Sequence, residues 1–204
     1  MLQHPAAVRD AFQQGAATFL EVLRGVSADQ WDQPEALGEL TSRELAAHTL
    51  RAFITIEGYL NAEPQTDRVL AEASEYYAAV LSEPNLHEGV TARARSAGAQ
   101  LVDPVGEAEV TVARVLALVA ATANDDPVNS FIGQMTLSEY LATRVVELGV
   151  HTLDLARATD QFVELHNDTA AVVLSVLTQL ASPSQLILAL TGRESLPDNY
   201  NVLQ

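Results

Sequence analysis

Between its proline and glycine breaks, nearly every stretch of this chain places apolar residues at the 3.6-residue period of an amphipathic helix. Strand signals are scarce: aromatic residues are 5% of the 204, and no Asn-Gly or Asp-Gly hairpin turn occurs. A first helix is expected over Pro5–Leu23. Pro5 suits its first position, and Val8, Phe12, Gly15, Phe19, Val22 and Leu23 form its apolar side. Gly25 ends it, and Ser27–Gly38 reads as a loop pinned by Trp31.

Thr41-Ser-Arg-Glu44 has the spacing of a capping box, opening a helix that runs to about Tyr59. Helical stretches follow over Thr66–Leu81, Glu88–Val102 and Pro104–Ala123. Asn124–Gly133 reads as a loop. Thr136-Leu-Ser-Glu139 repeats the capping pattern before a helix to about Thr159. Asp168 is expected to cap the next helix, Ser182-Pro183 to break it, and Gly192 to close the last. The fold class is therefore all-α, an up-and-down helical bundle over residues 1–193 with a polar tail, 194–204, lying against it.

A net charge of −16 argues against a nucleic-acid or anionic-membrane surface. All eleven basic residues are Arg, which removes Schiff-base lysine chemistry, and there is no Cys, which removes thiolate metal sites and cysteine nucleophiles. No apolar run approaches the roughly 18 residues of a membrane span, and Met1–Asp10 lacks a signal-peptide core. A cytoplasmic protein is expected. Homodimerisation is a default expectation that no residue pattern locates.

The richest neighbourhood is Tyr140-Leu-Ala-Thr-Arg-Val-Val-Glu147-Leu-Gly-Val-His151-Thr-Leu-Asp154. On a helical wheel Tyr140, Thr143, Arg144, Glu147, His151 and Asp154 share an arc of about 100°. The rest of the circumference is apolar, as expected for a helix packed on several sides, so the polar stripe is either its solvent face or a cavity lining. Glu147 and His151 read either as a surface pair worth about 0.2–0.5 kcal/mol, or as two ligands that need a third from elsewhere. His48 offers it, on a helix face with Leu45, Ala52, Thr55, Ile56 and Tyr59 that should point inward. A lone His on an apolar face is more often a core residue than a ligand. Two helices directing a His to one interior strengthen the ligand reading, and a cation would offset the cost of burying Glu147. His48, Glu147 and His151 would form a His₂Glu site with an open position. That donor set suits Zn²⁺ and admits Ni²⁺ or Fe²⁺. Glu44 reads as the cap, with a supporting contact to His48 also within reach. His4, His87 and His166 read as terminal or surface residues. Walker A, G-x-G-x-x-G, G-x-S-x-G and H-E-x-x-H patterns do not occur.

Trp31-x-x-Pro34 followed by Gly38-Glu-Leu-Thr-Ser-Arg-Glu-Leu-Ala-Ala-His48 resembles the opening of the mycothiol-dependent maleylpyruvate isomerase family, in the DinB-like superfamily. Gly133 to Ala156, containing Arg144, Glu147, His151 and Asp154, resembles its second motif, and the likeness spans about residues 5–192. The resemblance implies a DinB-like four-helix bundle with additional short helices and a divalent metal on His48, Glu147 and His151. It also implies mycothiol as the thiol cosubstrate. In the family's isomerase the thiolate adds to the cis double bond of maleylpyruvate, and rotation and elimination give the trans isomer. Arg144 is then the expected catalytic anchor for a substrate carboxylate, with Arg93 and Arg95 as weaker candidates. The family's isomerase carries a C-terminal α/β domain, whereas this sequence ends soon after Leu188–Arg193. The expectation is therefore an isomerase or S-transferase acting on a maleylpyruvate-like or other small electrophile. A bundle that binds metal or ligand without turnover, as a sensor or interaction module, is the alternative.

Overall fold

The computed structural model describes residues 4–83 and 86–203, and of residues 86–88 the backbone alone. Its helices are α1 (Pro5–Gly25), α2 (Ser42–Leu60), α3 (Ala73–Leu81), α4 (Leu86–Gln100), α5 (Pro104–Ala121), α6 (Leu137–Ala158), α7 (Asn167–Leu180) and α8 (Pro183–Leu190). A two-stranded antiparallel hairpin, β1 (Pro127–Asn129) and β2 (Gln134–Thr136), precedes α6. The fold is an all-α, DinB-like bundle. No helix among the described residues is long and apolar enough to cross a membrane.

The four long helices close a ring in which α1 packs on α6, α6 on α2, α2 on α5 and α5 on α1. Phe12 and Phe19 of α1 meet Phe53 of α2 across its centre, with ring centroids 5.3 and 6.4 Å apart. Every residue expected on the apolar side of α1 is buried. Burial of this kind is the main term holding such a bundle together, at roughly 25 cal/mol per Å² of apolar surface. α7 lies against α1 and α6, α4 against α2, and α3 against α6 and α7. α6 therefore runs through the middle. This explains why so much of its circumference is apolar and why Gly149 recurs there: a Cβ at Gly149 would stand 2.8 Å from Val173 Cγ2 of α7.

Local chemistry sets the helix starts. Thr41 and Glu44 form the expected capping box, the Glu44 carboxylate accepting from Thr41 N at 2.8 Å and the Thr41 hydroxyl from Glu44 N at 3.2 Å. Glu44 is thereby occupied as a cap. At α6 only half of the pattern forms. Thr136 accepts from Glu139 N, but the Glu139 carboxylate turns away to accept from Ala73 N at 3.0 Å, fastening the start of α3 to α6.

Three expectations are corrected. The helix expected from Thr66 begins at Ala73, because residues 68–70 commit their backbone to Gln134: Leu70 N donates to Gln134 O and Gln134 N to Arg68 O. The loop expected over Asn124–Gly133 contains β1 and turns into β2 through Ser130, whose hydroxyl and amide both donate to Gly133 O. The residue capping α7 is His166, which accepts from Asp168 N, not Asp168 itself. His166 is exposed at this helix end and His4 is exposed at the start of α1, while the His87 side chain lies outside the described residues. Beyond α8, the tail returns to the bundle, and Leu203 packs partly buried against the core.

Candidate metal centre

α2 and α6 are neighbours in the ring, and the polar stripe of α6 faces α2 and α3 and not bulk water. His48 and His151 meet edge to face with ring centroids 4.9 Å apart. One ligand atom from each of His48, Glu147 and His151 falls within a mutual separation of 4.8 Å, a grouping that could hold a metal ion. Glu147 Oε2 lies 3.5 Å from His151 Nε2, and Asp154 Oδ2 lies 3.2 Å from His151 Nδ1. The Asp154 carboxylate fixes the ring and directs Nε2 toward Glu147, the second-layer arrangement typical of ligating imidazoles. His48 Nδ1 is buried and has no hydrogen-bond partner among the described residues. A buried imidazole nitrogen without a partner is costly, and a ring in that state packed on His151 and grouped with Glu147 fits a cation-binding role.

Two residues support Glu147 from behind. The Tyr77 hydroxyl, from α3, lies 3.0 Å from Glu147 Oε1 and 2.9 Å from Thr143 O, so its one proton serves either acceptor. Arg144 Nη2 stands 4.0 Å from Glu147 Oε1. The Arg144 guanidinium is buried over the Tyr140 and Tyr76 rings, at 4.8 and 5.5 Å from their centroids, and Nε donates to Thr143 Oγ1. Arg144 does not line the cavity onto which the His–Glu–His group opens. That cavity, of about 550 Å³, is walled by Leu37–Leu40 of the α1–α2 connection, Val80 and Leu81 of α3, Val90 and Thr91 of α4, Val150 of α6, and Asn201 and Leu203 of the tail. Arg95 reaches only its rim, where it pairs with Glu39 at 2.7 Å. Arg93 is exposed on α4.

Without a metal, charge is balanced by protons. Burial acts to lower His151, but its hydrogen bonds to the Asp154 and Glu147 carboxylates outweigh it and hold its pKa up at about 9. Burial, with His151 close by, pushes His48 down to about 4. Burial acts to raise Glu147, yet the His151 hydrogen bond and the Arg144 charge hold it down at about 2. A protonated His151 thus stands between the Glu147 and Asp154 carboxylates. The raised His151 contributes stability that is complete below 6.5 and lost as pH climbs through about 9. The depressed His48 contributes stability that is complete above 6.5 and lost as pH falls toward 4, and the Glu147 contribution is lost below 4.5. Metal-free protein should accordingly be most stable near pH 6.5, read by urea denaturation in chelator across pH 4–9. A flat profile over that range would contradict this charge arrangement.

Tyr77 is the contact that sequence reasoning missed. Nothing in the spacing relates it to α6, and only the Tyr76–Tyr77 doublet marks the place. Tyr77→Phe should weaken metal binding about 10-fold, as expected for loss of a hydrogen bond to a ligating carboxylate, measured by calorimetric titration. An unchanged affinity would remove Tyr77 from the site.

The match with known families covers this same region. The family model for the mycothiol maleylpyruvate isomerase N-terminal domain matches residues 12–156. The chain belongs to that family. The matched span includes α2 and all but the end of α6, with His48, Glu147 and His151 all inside it. Neither a curated protein nor a solved structure matches the chain.

Proposed function

We propose that this member of the mycothiol maleylpyruvate isomerase N-terminal domain family binds one divalent metal ion, Zn²⁺ by the character of its donors, on His48, Glu147 and His151. With it the protein carries out thiol-dependent isomerisation or S-transfer on a small electrophile in the cytoplasm, with mycothiol as cosubstrate. The observation that carries this reading is the convergence of three ligand atoms within 4.8 Å at the edge of a cavity, one of the imidazoles having an unpartnered buried nitrogen. Three protein ligands leave a position for an exogenous group, the pattern of catalytic sites and not of closed structural ones. A bound divalent cation would lower the pKa of a thiol there and keep it as thiolate at neutral pH.

The chain's own residues supply the remaining requirements. Asp154 orients His151 through Nδ1, and Tyr77 and Arg144 hold Glu147 in place and ionised. Arg144 is proposed as a positioning residue acting through Glu147, since it is buried behind that carboxylate. Leucine and valine side chains make much of the cavity wall apolar, which strengthens the electrostatics of the site. Residues 1–193 are proposed as the metal-binding bundle, with the tail contributing Asn201 and Leu203 to the wall.

The test is consumption of mycothiol in the presence of electrophiles by metal-loaded and chelator-treated protein. Turnover confined to the loaded form is expected. Full metal content with no turnover across the set would leave a bundle that binds without catalysis.

A further inference from the structure

Resting on the metal-centre reading above, the composition of the cavity wall narrows the second substrate. The titratable side chains lining the cavity are His48, His151, Glu39, Glu147, Asp154 and Tyr77, and burial keeps the Tyr77 phenol neutral. Among the described residues, no arginine lines it, and the chain contains no lysine. The nearby guanidinium groups are directed elsewhere: Arg144 is buried under two tyrosine rings behind Glu147, and Arg95 is bound to Glu39 at the rim. Arg51 is half-buried one turn beyond His48 and is not part of the wall. A divalent cation held by Glu147 would already have Asp154 close by behind His151, and an incoming thiolate adds another negative charge. A dicarboxylate would enter a site with no cation left for its second carboxylate, at a desolvation cost that a low-dielectric pocket makes large.

Most of the rest of the wall is hydrocarbon, from Leu37, Leu40, Val80, Leu81, Val90 and Leu203, with Thr91 and Asn201 adding uncharged polar groups. A second cavity of about 330 Å³ adjoins it, sharing Val150, Asn201 and Leu203 and continuing between Leu174, Leu177 and Leu186 of α7 and α8. That cavity has no charged side chain among its lining residues.

We infer that the electrophile accepted by this site is uncharged, with an apolar body that runs along the leucine–valine wall, and not a dicarboxylate. For an activated alkene the step balances without a further reagent. The thiolate sulfur forms a bond to one alkene carbon, the π pair moves to the neighbouring carbon, and that carbon takes up the proton the thiol released. No bond other than the π bond and S–H is broken.

Diethyl maleate and maleate share one alkene skeleton and differ in charge, and with no Cys in the chain the diester has no protein thiol to label. Binding of each to metal-loaded protein without thiol, by calorimetric titration, should favour the diester by at least about 10-fold, the factor that 1.4 kcal/mol represents. With mycothiol present, addition above the uncatalysed rate should be seen for the diester and not for maleate. Val90→Arg, which adds a cation on the half-exposed α4 wall, should shift the binding ratio toward maleate while leaving metal content unchanged. Maleate binding as tightly as the diester, or tighter, overturns the inference. Binding of neither ligand to protein carrying full metal overturns it too, while leaving the metal centre standing. A chain that takes up no metal overturns the reading beneath it and the inference together.

Discussion

Glu147→Leu should lower the stability of the metal-free protein by about 3–5 kcal/mol in urea denaturation near neutral pH, the usual cost of stranding a buried charge. The Arg144 side chain is 8% exposed, and Glu147 Oε1 at 4.0 Å is its nearest anionic partner. The two tyrosine rings beside it offer cation–π attraction of only about 2 kcal/mol in a desolvated setting. Removing the carboxylate also takes one of two acidic partners from His151 and leaves the Tyr77 hydroxyl with Thr143 O alone. Glu147→Gln keeps an acceptor for Tyr77 and should cost less than the leucine. The double variant Arg144→Leu with Glu147→Leu should recover much of the loss, because the pair is then replaced by apolar volume and no uncompensated charge remains. A single Glu147→Leu variant that loses under about 1 kcal/mol would show that Arg144 and Glu147 do not depend on one another.

Metal binding should raise the melting temperature by an amount that grows with the concentration of free metal. At about 1,000 times Kd the stabilisation is about 4 kcal/mol, which for a chain of this length corresponds to a shift on the order of 10 °C. The effect follows from the geometry: the ligands come from α2 and α6, nearly 100 residues apart in sequence by the numbering of His48 and Glu147, and converge only in the folded bundle. His48→Ala and His151→Ala should each abolish the shift at the same metal concentration. Chelator should reverse it in the parent chain and leave both variants unmoved. Calorimetry or a fluorescence melt reads each case, and a variant retaining the full shift would take its histidine out of the site.

Much of the arrangement around the candidate metal centre was legible in the residues. α6 carries a narrow polar stripe on an otherwise apolar helix, and the structure turns its second half, Glu147, His151 and Asp154, toward a cavity while burying Tyr140, Thr143 and Arg144 in the protein. The capping box at Thr41 and Pro5 at the head of α1 are local signals, satisfied within one helical turn, so they could be read without tertiary knowledge. Where a backbone or side chain spends its hydrogen bonds on a distant partner, such reading fails. Residues 66–72 have helical composition, yet the pairing of residues 68–70 with Gln134 delays α3 to Ala73. Glu139 abandons its local cap for Ala73 N. Tyr77, the Leu37–Leu40 turn and Leu203 reach the site through tertiary packing alone, and no periodicity announces a contact of that kind. Arg144 shows the same limit from the other side. The wheel places it on the stripe with Glu147, but only the packing of Tyr76 and Tyr140 around it reveals that it faces away from the cavity.

The central claim is that His48, Glu147 and His151 hold one metal ion. Metal content by mass spectrometry on protein purified without a histidine tag tests it most directly, alongside His48→Ala and His151→Ala variants checked for native helicity. The account predicts about one equivalent of divalent metal per chain in the parent and less than about a tenth of that in each variant. A parent chain that carries no metal after incubation with Zn²⁺, Ni²⁺ or Fe²⁺, or variants that retain the full equivalent, would contradict it.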